Sequence, residues 1–417
     1  MPRRRTVLSL ALGSTAALAT GCGALPGQDS GDRKLTLWLM KDSASEDFIQ
    51  RFTKWFGEEH GDIKLDVQIQ PWTGIGEKVT DVLQGKVPAP DVIEVGNTHV
   101  AQYVDKGGLL ELTLESARDL GMDDWLPGLA EPGRFNNRQY GIPWYAANRV
   151  VIYNKELWDD AGIKKVPETR AEWLDITRTL NSGNVQGIYL AGQDWYAFSG
   201  FVWDEGGELA TDSSGSWEGA LDSPAALRAM DFYAELQALG KGPKRADEEH
   251  PPQSKEFARG NIAQIVAVPG QARAIEQANP DMADKLGYFA IPGKTASRKG
   301  AVFTGGSVLV VPERTKDRRA AVALIQALAG EKWQTDLART MDYVPNKTTL
   351  ARVVAGDPGV AAMAEGAVRG RATPNSPNWA SVELNNPIKT YMSAVLTGGN
   401  PRNEAKKASM QITRALS

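Results

Sequence analysis

The chain has 417 residues, 42% of them apolar and 24% charged, ordinary values for a globular protein with a sizeable core. Its 47 basic and 51 acidic side chains leave a formal charge of −4, which argues against nucleic acid or an anionic membrane surface as a partner. One cysteine and three scattered histidines in no HxxxH or HExxH pattern leave no internal disulfide, and poor support for a metal centre, a cofactor or a Ser-His-Asp triad.

The amino terminus reads as an export signal over residues 1–21. Arg3-Arg4-Arg5 is a basic start, Thr6 to Leu18 an apolar run of about 13 residues, and Ala19-Thr20-Gly21 a small-residue cleavage site, too short overall to span a membrane. Cys22 at the cut resembles the bacterial lipobox cysteine, which is diacylated and becomes the first residue of the mature chain; Ala19 stands where that motif more often has Leu. Arg4-Arg5-Thr6-Val7-Leu8 also resembles a twin-arginine signal, so both Tat and Sec export stay open, and a Sec signal with a chance cysteine is the bland alternative. The expected location is the outer face of the cell membrane, lipid-anchored through Cys22. Residues 22–33, rich in Gly, Pro and Ser, read as a flexible tether.

The fold then begins abruptly. Lys34 to Met40 is a strand pattern, and Ser43 or Ser45 can cap a helix whose Phe48, Ile49, Phe52, Trp55 and Phe56 share one face. Ile63 to Gln70 alternates as a strand, Ile75, Val79, Val82 and Leu83 mark a second helix, and Pro90 to Val95 is a third strand. This order predicts a parallel sheet with helices on both faces. Gln139 to Asn154 is extended and aromatic-rich, and past it the pattern restarts with helices from Lys155 and Ala171 and a short strand over Gly187 to Leu190. Pro224 sits at a helix start, where its missing N–H costs nothing. Asn261 to Val268, Lys285 to Ile291 and Ser307 to Val311 read as further strands, followed by mostly helical sequence. There is no internal repeat. The expectation is an α/β fold of two lobes, each a mainly parallel sheet flanked by helices, with ligand outside the carboxyl ends of the strands. The lobes are assigned as 34–147 plus 307–365 and 148–306 plus 366–417.

A series of landmarks in this order resembles the exported two-lobe solute-binding proteins of ABC sugar importers. They are KLTLWLM, PDVIEVGNTHVAQYVDKGGLLELT, YGIPWYAANRVVIYNKELWDDAGI, FARGNIAQIV, GYFAIPG, GGSVLVVPE and YVPNKTTL. Within that family, IYLAGQDWYAFSGFVWDEGGEL, NRVVIYNKELWDDAGI and NPIKTYMSAVLTG look like the actinobacterial lipoproteins that bind N,N′-diacetylchitobiose. One departure stands out: Ala267-Val268-Pro269-Gly270-Gln271 occupies the loop where that likeness implies an aromatic platform. The resemblance implies a monomeric type II binding protein that closes around a sugar or oligosaccharide and delivers it to ABC permease subunits. No GxxxxGK[ST] loop is present, so the ATPase of such a system would be another polypeptide.

A sugar offers hydroxyls that need paired hydrogen bonds and C–H faces that suit aromatic rings, so a sugar cleft needs Trp or Tyr beside Asp, Asn, Gln and Arg. The candidates at expected strand ends are Asp42 and Ser43, Asn97 and Thr98 with His99 behind them, and Trp144, Tyr145, Asn148 and Arg149 in the first crossover. Gln193, Asp194 and Trp195 follow a strand of the second lobe, Gly305 and Gly306 form the next crossover, and Trp379 opens a late helix. Trp38, Trp55 and Trp158 sit on apolar faces and read as core; Trp72 and Trp203 read either way. Arg149 has a structural salt bridge as its alternative role, and the glycine pair a simple bend. Carboxylate pairs such as Glu58-Glu59 and Glu248-Glu249 lie in polar surroundings, so no catalytic residue is assigned. A hydrolase with two opposed carboxylates and a non-transport surface lipoprotein remain the alternatives.

Overall fold

A computed structural model describes residues 33–417 apart from residue 62. The signal and the lipobox Cys22 lie outside the described residues. Strand β1 (Arg33–Met40) begins one residue before the expected start, within what was assigned to the tether. Its alternation feeds two cores at once. Leu35, Leu37 and Leu39 join Phe48, Phe52 and Phe56 of helix α1 (Glu46–Glu59) on one face. Trp38 and Met40 join Val79, Val82 and Leu83 of helix α2 (Ile75–Leu83) on the other. Each such buried Leu or Val contributes about 1.5–3 kcal/mol relative to exposure, which fixes the register of the strand. Of the two candidate caps, Ser45 holds α1, its Oγ accepting from the Phe48 amide at 3.2 Å.

The first sheet adds β2 (Ile63–Gln70), β3 (Val92–Gly96) and β4 (Ile142–Ala147) to β1, then takes strands from far later in the chain. Within this sheet, among the described residues, only β1 with β2 and β1 with β3 are parallel. The second sheet is built on β5 (Val150–Asn154), flanked by β6 (Gln264–Ala267) and β7 (Leu286–Phe289), and both pairings are antiparallel. Strand β8 (Gly305–Val310) then returns to the first sheet between β3 and β4, antiparallel to both, and β9 (Val344–Pro345) adds antiparallel to β4. The expectation of mainly parallel sheets is therefore corrected. The reason is topological: β4 leaves the first sheet at its carboxyl end, Ala147, and β8 re-enters beside that end at Gly305, so the two run in opposite directions.

The expected strand over Gly187 to Leu190 does not form. Its backbone amides and those beside it are divided among neighbours, Gln186 N donating to Asn261 O, Tyr189 N to Gln264 O and Gly192 N to Pro243 O, so no continuous ladder develops. Helix α3 (Trp195–Asp204) packs in the second hydrophobic core, with Phe198, Phe201 and Val202 beside Tyr233 and Tyr391. Helix α4 (Pro358–Ala367) contributes Val360 and Met363 to a cluster with Val150, Ile152 and Leu286, so it lies against β5 and β7. It also meets β9 of the first sheet, so it lies where the two sheets adjoin. Helix α5 (Trp379–Asn385) adds Trp379 and Val382 to the second core. No helix among the described residues is long and apolar enough to cross a membrane.

Candidate functional site

Two backbone links cross between the sheets side by side. Asn148 and Arg149 alone separate β4 from β5, and β8 opens on Gly305-Gly306. Gly306 has φ +138°, and a Cβ there would stand 2.1 Å from the Tyr145 carbonyl oxygen, so the close pairing with β4 requires glycine. Beside these links lies a cleft of about 410 Å³. Trp72, Asn97, Thr98, Tyr145 and Tyr343 line it from the side of the first sheet, and Tyr196, Val268, Phe303 and Glu383 from the side of the second. Hollows of comparable size near Ser381 and Arg414, and near Asp222 and Lys406, sit among helices of the second core alone and draw nothing from the first sheet.

The cleft floor is a polar network around a buried carboxylate. Glu94 on β3 is 0% exposed; its Oε2 accepts from the Met40 amide at 2.7 Å and its Oε1 from Ser307 Oγ at 2.5 Å. The Tyr145 hydroxyl stands 3.0 Å from Ser43 Oγ, 3.1 Å from Ser307 Oγ and 3.3 Å from Glu94 Oε1. Burial pushes the Glu94 carboxyl up to about 7 against the pull of these hydrogen bonds. Above the network the Tyr145 ring lies flat on Tyr343, whose hydroxyl donates to the Asp42 carbonyl at 3.1 Å. Asn97, buried, donates its amide to the Thr304 carbonyl at 2.8 Å and so ties the end of β3 to the returning chain.

The opposite wall carries an aromatic ring backed by a cation. The Arg149 guanidinium sits 4.5 Å from the centroid of the Tyr196 ring. It also lies 3.2 Å, Nε to Oδ1, from Asp194 and bonds Glu248. Asp194 caps α3, its Oδ1 accepting from the Ala197 amide at 3.1 Å, and burial raises its carboxyl with Glu248 adding and Arg149 opposing. Glu383 on α5 accepts from Trp379 Nε1 at 2.9 Å and is hydrogen-bonded by Thr98 across the cleft; burial raises it to about 6.

Of the candidates, Asn97, Thr98, Tyr145, Arg149, Gly305 and Gly306 come together along this cleft. Ser43 lies beneath Tyr145, buried, and Asp42 is exposed with only its carbonyl turned to Tyr343. Asn148 is buried, and Gln193 is drawn away to Ser393 Oγ at 2.9 Å. His99 packs its ring toward Tyr103. The three tryptophan platforms are corrections. Trp144 is a strand residue, 0% exposed, at the point where the register of β4 on β8 shifts, so that it and Tyr145 both belong to the first core and only Tyr145 reaches the cleft. Trp195, at the first position of α3, is turned into the second core against Phe303, and its neighbour Tyr196 faces the cleft instead. Trp379 is likewise buried and meets the cleft only through its bond to Glu383. Glu94, Tyr196, Phe303, Ser307, Tyr343 and Glu383 went unread. A charge inside Val92-Ile93-Glu94-Val95 is the one local signal among them.

Comparison with known proteins places the chain. The family described as bacterial extracellular solute-binding protein matches residues 39–335. The chain is 37% identical to the diacetylchitobiose binding protein DasA of Streptomyces coelicolor over 384 residues, 92% of this chain and 89% of that one. It is 24% identical to a maltooligosaccharide ABC transporter solute-binding lipoprotein of Streptococcus pneumoniae, over 82% of this chain and 81% of that one. The fold is that of the sugar-binding protein MalE from Xanthomonas citri, with TM-score 0.83 and 22% identity over 92% of this chain and 97% of that one. The GacH receptor of Streptomyces glaucescens, solved unliganded and with acarbose, gives TM-score 0.75 and 24% identity over 92% and 98%. The chain belongs to the bacterial extracellular solute-binding proteins and has their two-lobe, type II fold.

Proposed function

We propose that this solute-binding protein captures an oligosaccharide of the N,N′-diacetylchitobiose class by lobe closure and hands it to the permease of an ABC importer, without hydrolysing it. The observation that carries this reading is the cleft at the crossovers, where the rings of Trp72, Tyr196 and Tyr343 face a space also reached by Asn97, Thr98 and Glu383. Aromatic faces for C–H surfaces beside amide, hydroxyl and carboxylate groups are what a saccharide needs. The 37% identity to a protein named for diacetylchitobiose supports the sugar class.

In this reading the first lobe comprises residues 33–147 with 305–357 and the second 148–304 with 358–417. Closure turns on the links at Asn148-Arg149 and Gly305-Gly306, and the closed monomer is what the permease recognises. Cys22 supplies the lipid anchor on the outer face of the membrane. Delivery requires release, so a dissociation constant on the order of 1 μM, about −8 kcal/mol, suits the task. Calorimetry and thermal shift with the chain from residue 23 onward, against mono- and oligosaccharides, test the reading. Saturable binding of diacetylchitobiose with the sugar recovered intact is expected. Failure to bind any saccharide, or release of cleaved sugar, overturns it.

A further inference from the structure

The cleft carries a negative charge that the protein leaves unneutralised. Among the described residues, two charged side chains line it, Arg149 and Glu383. The single positive charge of Arg149 is already shared by the carboxylates of Asp194 and Glu248, so none of it is left for an anionic ligand. Glu383 is held differently. Its hydrogen-bond donors, the Trp379 indole and the Thr98 hydroxyl, are both neutral, and among the described residues it has no ion-pair partner. A half-buried carboxylate held only by neutral donors keeps its full attraction for a cation brought into the cleft. Tyr196 and Glu383 line the same cleft, both from the side of the second sheet, so an aromatic face and an anion are offered to one ligand.

We propose that Glu383 makes the cleft selective for saccharides bearing a protonated amine, a free 2-amino sugar ring lying on Tyr196 with its ammonium against Glu383. This rests on the oligosaccharide reading above and narrows it: partly or fully deacetylated chito-oligosaccharides bind better than the acetylated ones, and sugars carrying carboxylate or phosphate are rejected. Charge-assisted hydrogen bonds of this kind are about twice as strong as neutral ones and depend on salt.

Calorimetry at pH 7 and low salt with three disaccharides tests it: N,N′-diacetylchitobiose, its fully deacetylated counterpart, and a disaccharide containing a uronic acid. The expected order is deacetylated, then diacetylated, by about 10-fold, with the uronate weakest. In Glu383→Gln, whose amide oxygen can still accept from Trp379 and Thr98, the ratio between the first two should collapse toward one. Equal or weaker binding of the deacetylated sugar by the unaltered protein overturns the proposal, as does a ratio unchanged in the variant. The order in the unaltered protein stands as a test even if the variant fails to fold. Diacetylchitobiose binding without an amine preference sinks this inference alone; no binding of any of the three sinks the oligosaccharide reading as well.

Discussion

Tyr145 and Tyr343 stack face to face, ring centroids 4.0 Å apart and planes 7° apart, although one lies within the strand that leads to the first crossover and the other leads into the last strand of the same sheet. The pair roofs the Glu94 network and presents Tyr343 to the cleft. Its two members do different work: the Tyr145 hydroxyl belongs to the buried polar floor, and the Tyr343 ring is open to a ligand.

Tyr145→Phe keeps the stack and removes the hydroxyl that stands between Ser43, Ser307 and Glu94. Denaturant unfolding should show a loss of about 1–2 kcal/mol. Tyr343→Ala should instead weaken sugar binding with a smaller stability loss, since that ring is only partly buried. Equal stability losses in the two variants would contradict this division.

Stability should fall as the pH rises toward neutrality, and Glu94 should be one cause. Its folded value, about 7, stands above the ordinary 4.5. Between those two values the unfolded chain gives up the proton that the folded chain keeps, so the unfolded state binds fewer protons and unfolding becomes easier as pH increases. The loss is complete above about pH 7 and amounts to roughly 3 kcal/mol. Glu383, raised to about 6, acts in the same direction over a narrower window. Melting temperatures of the unliganded protein between pH 4.5 and pH 7.5 should decline, and less steeply in Glu94→Gln. Parallel curves for the two proteins would remove Glu94 from the explanation.

Tyr196 and Trp195 should part company. Tyr196 faces the cleft with Arg149 behind it, so Tyr196→Ala should cost about 1–2 kcal/mol of sugar binding, roughly 5- to 30-fold. Trp195 is 3% exposed in the second core, and Trp195→Ala should destabilise the fold by about 3–5 kcal/mol. Calorimetry on both variants beside their melting curves checks the assignment. A Tyr196→Ala variant that binds like the unaltered protein would leave this wall without its platform.

That contrast shows where the sequence is legible and where it stops. The leucines of β1 and the phenylalanines of α1 declare their faces through period two and period 3.6, and Asn97, Tyr145, Arg149 and Gly305 follow from strand ends. Trp195-Tyr196 is an adjacent aromatic pair on a helix, whose rings diverge without the sequence saying which way, and Trp144-Tyr145 falls where the register of β4 on β8 shifts, a break that no local pattern announces. Tyr343 and Glu383 reach the cleft from the returning third of the chain, a placement set by sheet order and helix packing that no local pattern encodes.

Anchoring is proposed to rest on Cys22, which lies outside the described residues. Cys22→Ser should release the protein into the medium or leave it unprocessed, because a thioether-linked lipid has no other attachment point in a chain with one cysteine. Fractionation of cells expressing the variant reads this directly, and unchanged membrane association would end the lipoprotein reading.

Arg149 is expected to be the residue whose loss is felt in both stability and binding. It joins Asp194 to Glu248 with its side chain 16% exposed, and it backs Tyr196. Arg149→Met should leave two carboxylates facing each other in a largely dry site, at a cost of about 3–5 kcal/mol. Arg149→Lys keeps the charge but not the flat guanidinium, so it should recover part of the stability and little of the ring packing behind Tyr196. The triple change Arg149→Met, Asp194→Asn and Glu248→Gln removes the ion cluster altogether. If the penalty in Arg149→Met comes from uncompensated charge, the triple variant should be the more stable of the two in spite of its extra substitutions, and sugar affinity should stay low in both because Tyr196 has lost its support. A triple variant less stable than Arg149→Met would assign the loss to packing and the capping bond of Asp194 instead.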